Sequence, residues 1–258
     1  MNDKIVFFDI DGTLVNDEKK VPDSTKEALH KLRKNGIHTA IATGRGPFMF
    51  KDLRSELELD SFVSFNGSYV MFEDEVIHST PLNTKVLEKL EKEAEQMGHP
   101  LVYLDHQGAT SNVEKHEIIE ACTYNLMPSY PIHSPQYYKQ NDVYQVLLFC
   151  QEKDELPYKD SYSDTYGFIR WHEHCLDVLP HGGSKAKGID AFVDKLGVKR
   201  ENIFAFGDAL NDLEMLKAAG TGVAMGNGLS EAKEAADFVT KSVDEDGIYY
   251  GLKHLGLI

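Results

Sequence analysis

Cysteine is scarce and scattered. The three in the chain, Cys122, Cys150 and Cys175, lie far apart and form no CxxC pair. That spacing offers no disulfide framework and suits a reduced compartment, with each thiol as a buried small apolar residue. Basic residues are also in short supply: 27 lysines and arginines stand against 42 aspartates and glutamates, a formal net charge of −15. A chain this acidic is not expected to bind nucleic acid nonspecifically or to dock on an anionic membrane. An anionic substrate would need a local cationic site. Long apolar runs are missing too. No stretch approaches the roughly 18 apolar residues of a membrane span, and the run after Met1 stops at Asp9 after only four residues, too few for a secretory signal. The expectation is a cytoplasmic protein without membrane or nucleic-acid partners. There is no internal repeat and no low-complexity segment, and nothing speaks to oligomeric state.

What is present is ordinary for a globular chain, 41% hydrophobic and 27% charged over 258 residues, enough for one large domain or two small ones. The run Ile5–Phe8 predicts a strand buried on both faces of a parallel sheet. Ser24 and Glu27 read as a capping box opening a helix that stops near Gly36. A strand over 37–42, a helix over 47–57 and a strand over 62–65 follow, then a hairpin over 69–79 turning near Glu73 and Asp74. This is β-α-β-α-β, the order of a parallel sheet.

From Pro81 the texture changes. A helix over 84–97, a strand over 101–104 and a helix over 113–125 lead through a proline-bearing loop to strands over 143–149, 167–171 and 175–179. Helices followed by runs of strands describe a separate α+β insert. The parallel pattern resumes with a helix over 184–196, a strand over 203–206, a strand over 222–225, and short helices over 230–236 and 247–254. The fold class is therefore α/β: a Rossmann-like parallel-sheet core from residues 1–81 and 182–258, with an inserted α+β cap domain over 82–181.

Four clusters fall at the ends of predicted strands or the start of a helix: Asp9 with Asp11, Thr43 with Gly44, Lys185, and Asp208 with Asp212. In a parallel sheet these positions converge on one edge. Several carboxylates in one crevice make a hard-cation site, most naturally Mg²⁺. Thr43 offers a hydroxyl and Gly44 a backbone N–H to a phosphate oxygen, while Lys185 adds a positive charge at a helix N-terminus. Together they describe metal-assisted handling of a phosphoryl group. Each alone has a plainer reading: a solvated Asp-Gly turn, a loop, a helix start with a solvated lysine, a helix cap. A calcium EF-hand is excluded, since its glycine and glutamate positions hold Leu14 and Lys20.

The motifs DIDGTL (9–14), TGR (43–45), Lys185 and GDALND (207–212), with the pair Asn66-Gly67, resemble the haloacid dehalogenase superfamily. The closest likeness is to its Cof-type sugar-phosphate phosphatases. The resemblance implies that Asp9 attacks phosphorus to form an aspartyl-phosphate, and that Asp11 protonates the leaving oxygen and then activates water. It implies Mg²⁺ on Asp9, the Asp11 carbonyl and Asp208, with Asp212 bound directly or through water. Thr43, Gly44, Arg45, Lys185 and Asn211 would hold the phosphate, and Lys185 fits the lysine position better than Lys187. Asp11 separates the chain from dehalogenases and from P-type ATPases. The long gap from Thr43 to Lys185 holds the larger, second-position cap, which would open for substrate and close against water. The implied function is hydrolysis of a small phosphorylated metabolite such as a sugar phosphate. A phosphotransferase or phosphomutase is the enzymatic alternative, and a non-catalytic metabolite-phosphate sensor is the alternative from another class.

Three other features have plain readings. His172, His174, His181 and Cys175 suggest zinc less readily than a solvated strand face. Tyr130, Tyr137, Tyr138 and Tyr144 serve either a substrate pocket or cap packing. The lysines and glutamates over 85–95 read as a solvated helix face.

Overall fold

The computed structural model describes residues 4–124, 126–127 and 129–258. The chain divides into two compact units, one of residues 1–44, 52–78 and 184–258, the other of residues 45–51 and 79–183. The expected core over 1–81 and 182–258 differs from the first unit chiefly in the segment Arg45–Lys51, which groups with the second.

The first unit is built on an eight-stranded sheet. Its strands run, in spatial order, Phe238–Val239, Thr221–Ala224, Ile203–Gly207, Ile5–Phe8, His38–Ala42, Phe62–Ser64, Tyr69–Phe72 and Glu75–Ser79. Pairings are parallel from Phe238–Val239 through Phe62–Ser64, and the Tyr69–Phe72 strand pairs antiparallel to its neighbour. Ile5–Phe8 lies at the centre, in register with Ile203–Phe206 on one side and His38–Ile41 on the other. All four of its residues are buried, as the unbroken apolar run requires of a strand covered on both faces. The chain leaves this strand for the Asp23–Lys34 helix and then the His38–Ala42 strand; it leaves Ile203–Gly207 for the Leu213–Ala218 helix and then the Thr221–Ala224 strand on the opposite side. The loops after these two central strands therefore diverge, opening the kind of crevice where α/β sheets place ligands.

The Lys185–Leu196 helix covers one face. Its buried positions are Lys185, Gly188, Ile189 and Phe192, the i, i+3, i+4, i+7 stripe of an amphipathic helix. Phe192 packs edge-on against Phe7, ring centroids 5.1 Å apart; burying such a ring contributes about 1.5–3 kcal/mol. Two glycines let this helix approach the sheet. A Cβ on Gly188 would lie 2.2 Å from Val63 Cγ1, and one on Gly67, at φ 97°, would lie 2.1 Å from the Ser184 carbonyl oxygen.

The expected capping box does not form. The Asp23–Lys34 helix begins after Pro22 without a side-chain cap, and the Ser24 hydroxyl, inside the first turn, is buried without a partner. Proline already presets the entry φ, and the cap falls at Pro22, two residues earlier than the serine predicts.

The second unit is a six-stranded sheet in the order Tyr166–His172, Cys175–Pro180, Gln145–Leu148, Leu101–Leu104, Ala109–Ser111, Ile132–His133. All its pairs are antiparallel except the last, Ala109–Ser111 with Ile132–His133. The Thr84–Met97 helix matches its predicted span, ending on Gly98 at φ 73°. The helix expected over 113–125 is shorter, Glu117–Thr123, because His116 caps it by accepting the Ile118 N–H on Nδ1; the expected end at Asn125 lies outside the described residues. A Leu156–Tyr162 helix and the two short strands Ala109–Ser111 and Ile132–His133 were not anticipated. The face over 85–95 is not wholly solvated either: Glu91 is buried and accepts hydrogen bonds from the Tyr103 and Tyr138 hydroxyls. Two donors make its burial tolerable. Among the described residues no helix is long and apolar enough to cross a membrane.

Candidate functional site

Asp9 is the residue immediately after the central strand. Its backbone N–H bonds the Phe206 carbonyl at 3.0 Å, so the parallel ladder runs one residue into the loop and fixes where the carboxylate starts. Across the crevice, Asp208 follows the Ile203–Gly207 strand. One carboxylate oxygen from each of Asp9, Asp208 and Asp212 lies within 4.8 Å of the other two. Lys185 reaches into the same cluster. Its Nζ donates to Asp9 Oδ1 at 2.5 Å and to Asp212 Oδ1 at 2.7 Å, and its side chain is wholly inaccessible. The reading of Lys185 as a solvated helix start is thereby overturned. Lys185 sits at the head of the helix's buried stripe, whereas Lys187, out of phase with it, is exposed.

Asp212 is wholly buried, at the end of the short 3-10 turn Leu210–Asp212. Its Oδ2 accepts the backbone N–H groups of Asp208 and Ala209, at 2.9 and 3.0 Å. With Lys185 on Oδ1, both oxygens are engaged, and the residue fixes the loop that carries Asp208.

Electrostatics follow from burial. Desolvation pushes the Asp9 carboxyl up to about 7; Lys185 opposes this, while Asp212 and Asp208 add to it. Burial, with help from Asp212, pushes Asp208 up to about 6 against a hydrogen bond from Thr13. Lys185 is held above its usual value by Asp212 and Asp9, which together outweigh its own desolvation. Three carboxylates share one ammonium, which leaves an excess of negative charge in a largely buried space. An all-oxygen, anionic donor set of this kind fits a hard divalent cation.

Asp11 differs from Asp9. Its side chain is 44% exposed and pairs with Lys19 Nζ at 2.7 Å. Thr43 is buried at the end of the next strand and donates its N–H to the Val63 carbonyl at 2.9 Å. Gly44 follows, packed against Asn66: a Cβ there would lie 3.1 Å from the amide nitrogen. Asn211 is exposed in the 3-10 turn. Arg45 opens the segment that groups with the second unit.

Several supporting residues were not singled out from sequence. Thr13, fully buried, donates its hydroxyl to Asp208 Oδ1 at 3.0 Å. Gly12, at φ 78°, cannot carry a side chain, since a Cβ would fall 2.4 Å from Asp208 Oδ2. The 226–228 glycine loop props the site from behind: Asn227 Nδ2 donates to the Gly12 carbonyl at 2.8 Å, and the Leu229 N–H to the Asp208 carbonyl at 2.8 Å. Gly12 and Thr13 lie inside the DIDGTL motif and the 226–228 loop follows a predicted strand, but neither position gives a hint of who bonds whom.

In the second unit, a pocket of about 480 Å³ is lined by Phe48, Asp105, Gln107, Tyr130, Ile132 and Tyr137 among others. Tyr137 donates to Asp105 Oδ2 at 2.5 Å. Tyr138 and Tyr144 are almost wholly buried, so packing accounts for them better than for Tyr130 and Tyr137. His172 and His174 do not alternate along a strand; His172 ends one and His174 lies in the following turn. His172 Nδ1 lies 3.3 Å from Cys122 Sγ and accepts the His174 N–H at 3.1 Å.

A family model described as haloacid dehalogenase-like hydrolase matches residues 6–252. YkrA of Bacillus subtilis (strain 168) is 43% identical over 258 residues, 100% of both chains. The 5-amino-6-(5-phospho-D-ribitylamino)uracil phosphatase YitU of Bacillus subtilis (strain 168) is 30% identical over 261 residues, 96% of each. Among solved structures, the HAD subclass IIB sugar phosphatase BT4131 has a TM-score of 0.85 at 32% identity, over 99% of this chain and 100% of that one.

Proposed function

The chain belongs to the haloacid dehalogenase-like hydrolase family, and from that premise we propose that it is a Mg²⁺-dependent phosphatase acting on a small phosphorylated metabolite, by its chemistry a sugar or sugar-alcohol phosphate. The observation that carries the reading is the buried ammonium of Lys185 held between Asp9 and Asp212, beside the Asp208 carboxylate. A cation and acids so arranged suit a phosphoryl group and its counter-ion better than they suit a fold core, where such burial is unfavourable.

Asp9 is assigned as nucleophile. Its carboxylate oxygen bonds to phosphorus as the bond to the leaving oxygen breaks, and Asp11 gives that oxygen a proton. Water then adds to phosphorus, Asp11 takes its proton, and the acyl-phosphate bond to Asp9 breaks to release phosphate. Asp11, half-exposed, is assigned to exchange protons with water. Thr43, Gly44, Arg45, Lys185 and Asn211 are assigned to the phosphate. Asp9, Asp208 and the Asp11 carbonyl would hold Mg²⁺, with Asp212 acting through water because its oxygens already take three donors. Bound there, the ion neutralises the carboxylates that would otherwise repel the phosphoryl group.

Selection among substrates is assigned to the second unit. The described lining of its 480 Å³ pocket has aromatic, aliphatic and neutral polar side chains, Met127 and Ile132 among them, with one carboxylate, Asp105, and no lysine or arginine. That lining suits a polyol or a neutral ring in preference to a second phosphate. YitU and BT4131, relatives named for a ribitylaminouracil and for sugars, fit the same class.

The test is the division between the two acids. Asp9→Asn should give no covalent adduct with any substrate. Asp11→Asn should fail on sugar phosphates, yet with p-nitrophenyl phosphate, whose leaving group needs no proton, it should release a burst of about one equivalent of nitrophenol and retain label on the protein. EDTA should abolish wild-type turnover, Mg²⁺ should restore it and Ca²⁺ should do so poorly. Identical behaviour of the two variants, with neither burst nor label, would overturn the assigned roles; full turnover in EDTA would overturn the metal.

A further inference from the structure

We infer that the Asn66 carboxamide is a further phosphoryl-binding group of the core cluster, donating an Nδ2 hydrogen to an oxygen of the phosphoryl group; this rests on the phosphatase reading above. Three observations converge on it.

The first is backbone conformation. Phe65, Asn66 and Gly67 all adopt positive φ, at 49°, 49° and 97°. Gly67 has a packing reason, the close passage of the Ser184 carbonyl. Phe65 and Asn66 do not have glycine's freedom, and two successive side-chain-bearing residues in the left-handed region are unfavourable unless the surroundings enforce them. A hydrogen bond from the Asn66 N–H to the Thr43 carbonyl, 3.2 Å, holds the turn to the neighbouring strand end.

The second is position. The Ile5–Phe8, His38–Ala42 and Phe62–Ser64 strands are consecutive parallel neighbours, so Asp9, Thr43 and the Phe65–Gly67 turn leave the sheet at the same edge. On one side the carboxamide lies flat against Gly44, whose Cβ, if present, would meet Asn66 Nδ2 at 3.1 Å and Oδ1 at 3.2 Å. On the other, Gly67 abuts Ser184, the residue before Lys185. Asn66 thus stands between the Thr43–Gly44 pair and the helix start that delivers the cluster's ammonium.

The third is an unmet hydrogen bond. Asn66 is 7% exposed, and its Oδ1 is buried with no partner. Packing, rather than hydrogen bonding, holds the amide plane, and with Oδ1 as the buried end the NH₂ is the end left to meet a ligand. An amide whose oxygen is left unmet is held there by packing alone, which is unfavourable in a purely structural turn, and its NH₂ remains available to donate. A phosphoryl oxygen at Thr43–Gly44 would accept from it.

The experiment compares the full chain with Asn66→Gly and Asn66→Asp. Glycine relieves the positive φ and removes the unpaired oxygen, so a residue serving the turn alone would leave Asn66→Gly at least as stable and fully active. On the proposal, Asn66→Gly keeps the wild-type melting temperature, while kcat/KM for p-nitrophenyl phosphate falls about ten- to hundredfold. Competitive inhibition by inorganic phosphate weakens about tenfold in parallel. Asn66→Asp, isosteric and equally tolerant of this φ, sets a like charge against the phosphoryl group and falls further; it decides the matter should glycine loosen the turn. Kinetics and phosphate inhibition within twofold of wild type in the folded variants would overturn the assignment. A wild-type chain that neither turns over phosphate esters nor binds phosphate would instead sink the phosphatase reading itself, before any variant is compared.

Discussion

Replacing Lys185 with methionine tests the core cluster most directly. Methionine keeps most of the stem that lies along the buried stripe with Gly188, Ile189 and Phe192, and removes only the ammonium. Asp9 and Asp212 then lose the cation 2.5 and 2.7 Å away. Asp212 retains its two backbone donors, but both carboxylates remain desolvated and now repel each other without an intervening charge. Removing one partner from a buried ion pair costs about 3–5 kcal/mol. A domain of this size loses roughly 2–4 °C of melting temperature per kcal/mol, so the expected fall is about 6–20 °C. Calorimetry of the metal-free chain should show it. Activity against an aryl phosphate should fall by a factor on the order of 10²–10³, the loss of one preorganised charge donor at the reacting group. Because the destabilisation comes from Asp212 as well as Asp9, Lys185→Met combined with Asp212→Asn should melt higher than the sum of the two single losses predicts. A Lys185→Met chain that melts within 2 °C of wild type would refute the reasoning, since that lysine would then be solvated in solution.

Two further outcomes follow from packing and burial. Gly188→Ala places a methyl 2.2 Å from Val63 Cγ1 and should cost about 1–3 kcal/mol while displacing the Lys185 helix and lowering kcat/KM; Val63→Ala in the same chain should restore both, and no rescue would mean the contact is not what limits the helix. In the second unit, burial raises the Asp177 carboxyl to about 7, with hydrogen bonds from Trp171 and Gln145 opposing. The folded state therefore holds more protons than the unfolded state between about pH 4 and 7, so this group's contribution makes stability fall as pH rises through that window. Asp177→Asn, which can still accept from Trp171 Nε1, should raise the melting temperature at pH 8 relative to wild type by more than at pH 5, and an equal shift at both pH values would refute the buried-acid account.

Much of the core was legible because its signals are local. The Ile5–Phe8 run has no polar residue to face solvent, so its central place in the sheet follows from composition alone, and so does the position of Asp9 at its end. The cap's helix over 84–97 carries both an asparagine N-cap and a terminal Gly98 at positive φ, which is why its bounds match. Where signals were split among distant residues, the reading failed. The Leu156–Tyr162 helix is only seven residues long and shows two buried positions, Tyr158 and Tyr162, too few for a period to stand out. Glu91 reads as one more charge on a Lys/Glu face because its two partners, Tyr103 and Tyr138, are 12 and 47 residues away.

Lys185 is the instructive case, since the clue was present. Ile189 and Phe192 define the buried stripe of their helix, and stepping back one turn from Ile189 reaches Lys185 while Lys187 points elsewhere. Phase alone thus puts an ammonium on the apolar face, and a buried ammonium demands acids. Which acids could not be read from phase, because Asp9 and Asp212 lie 176 and 27 residues away along the chain. Only the convergence of parallel strand ends supplies them. The same convergence explains why Asn66, noticed in sequence only as part of the Asn66-Gly67 pair, was given no role there: its neighbours Gly44 and Ser184 belong to other strands and helices, and its unmet hydrogen bond exists only once they are packed around it.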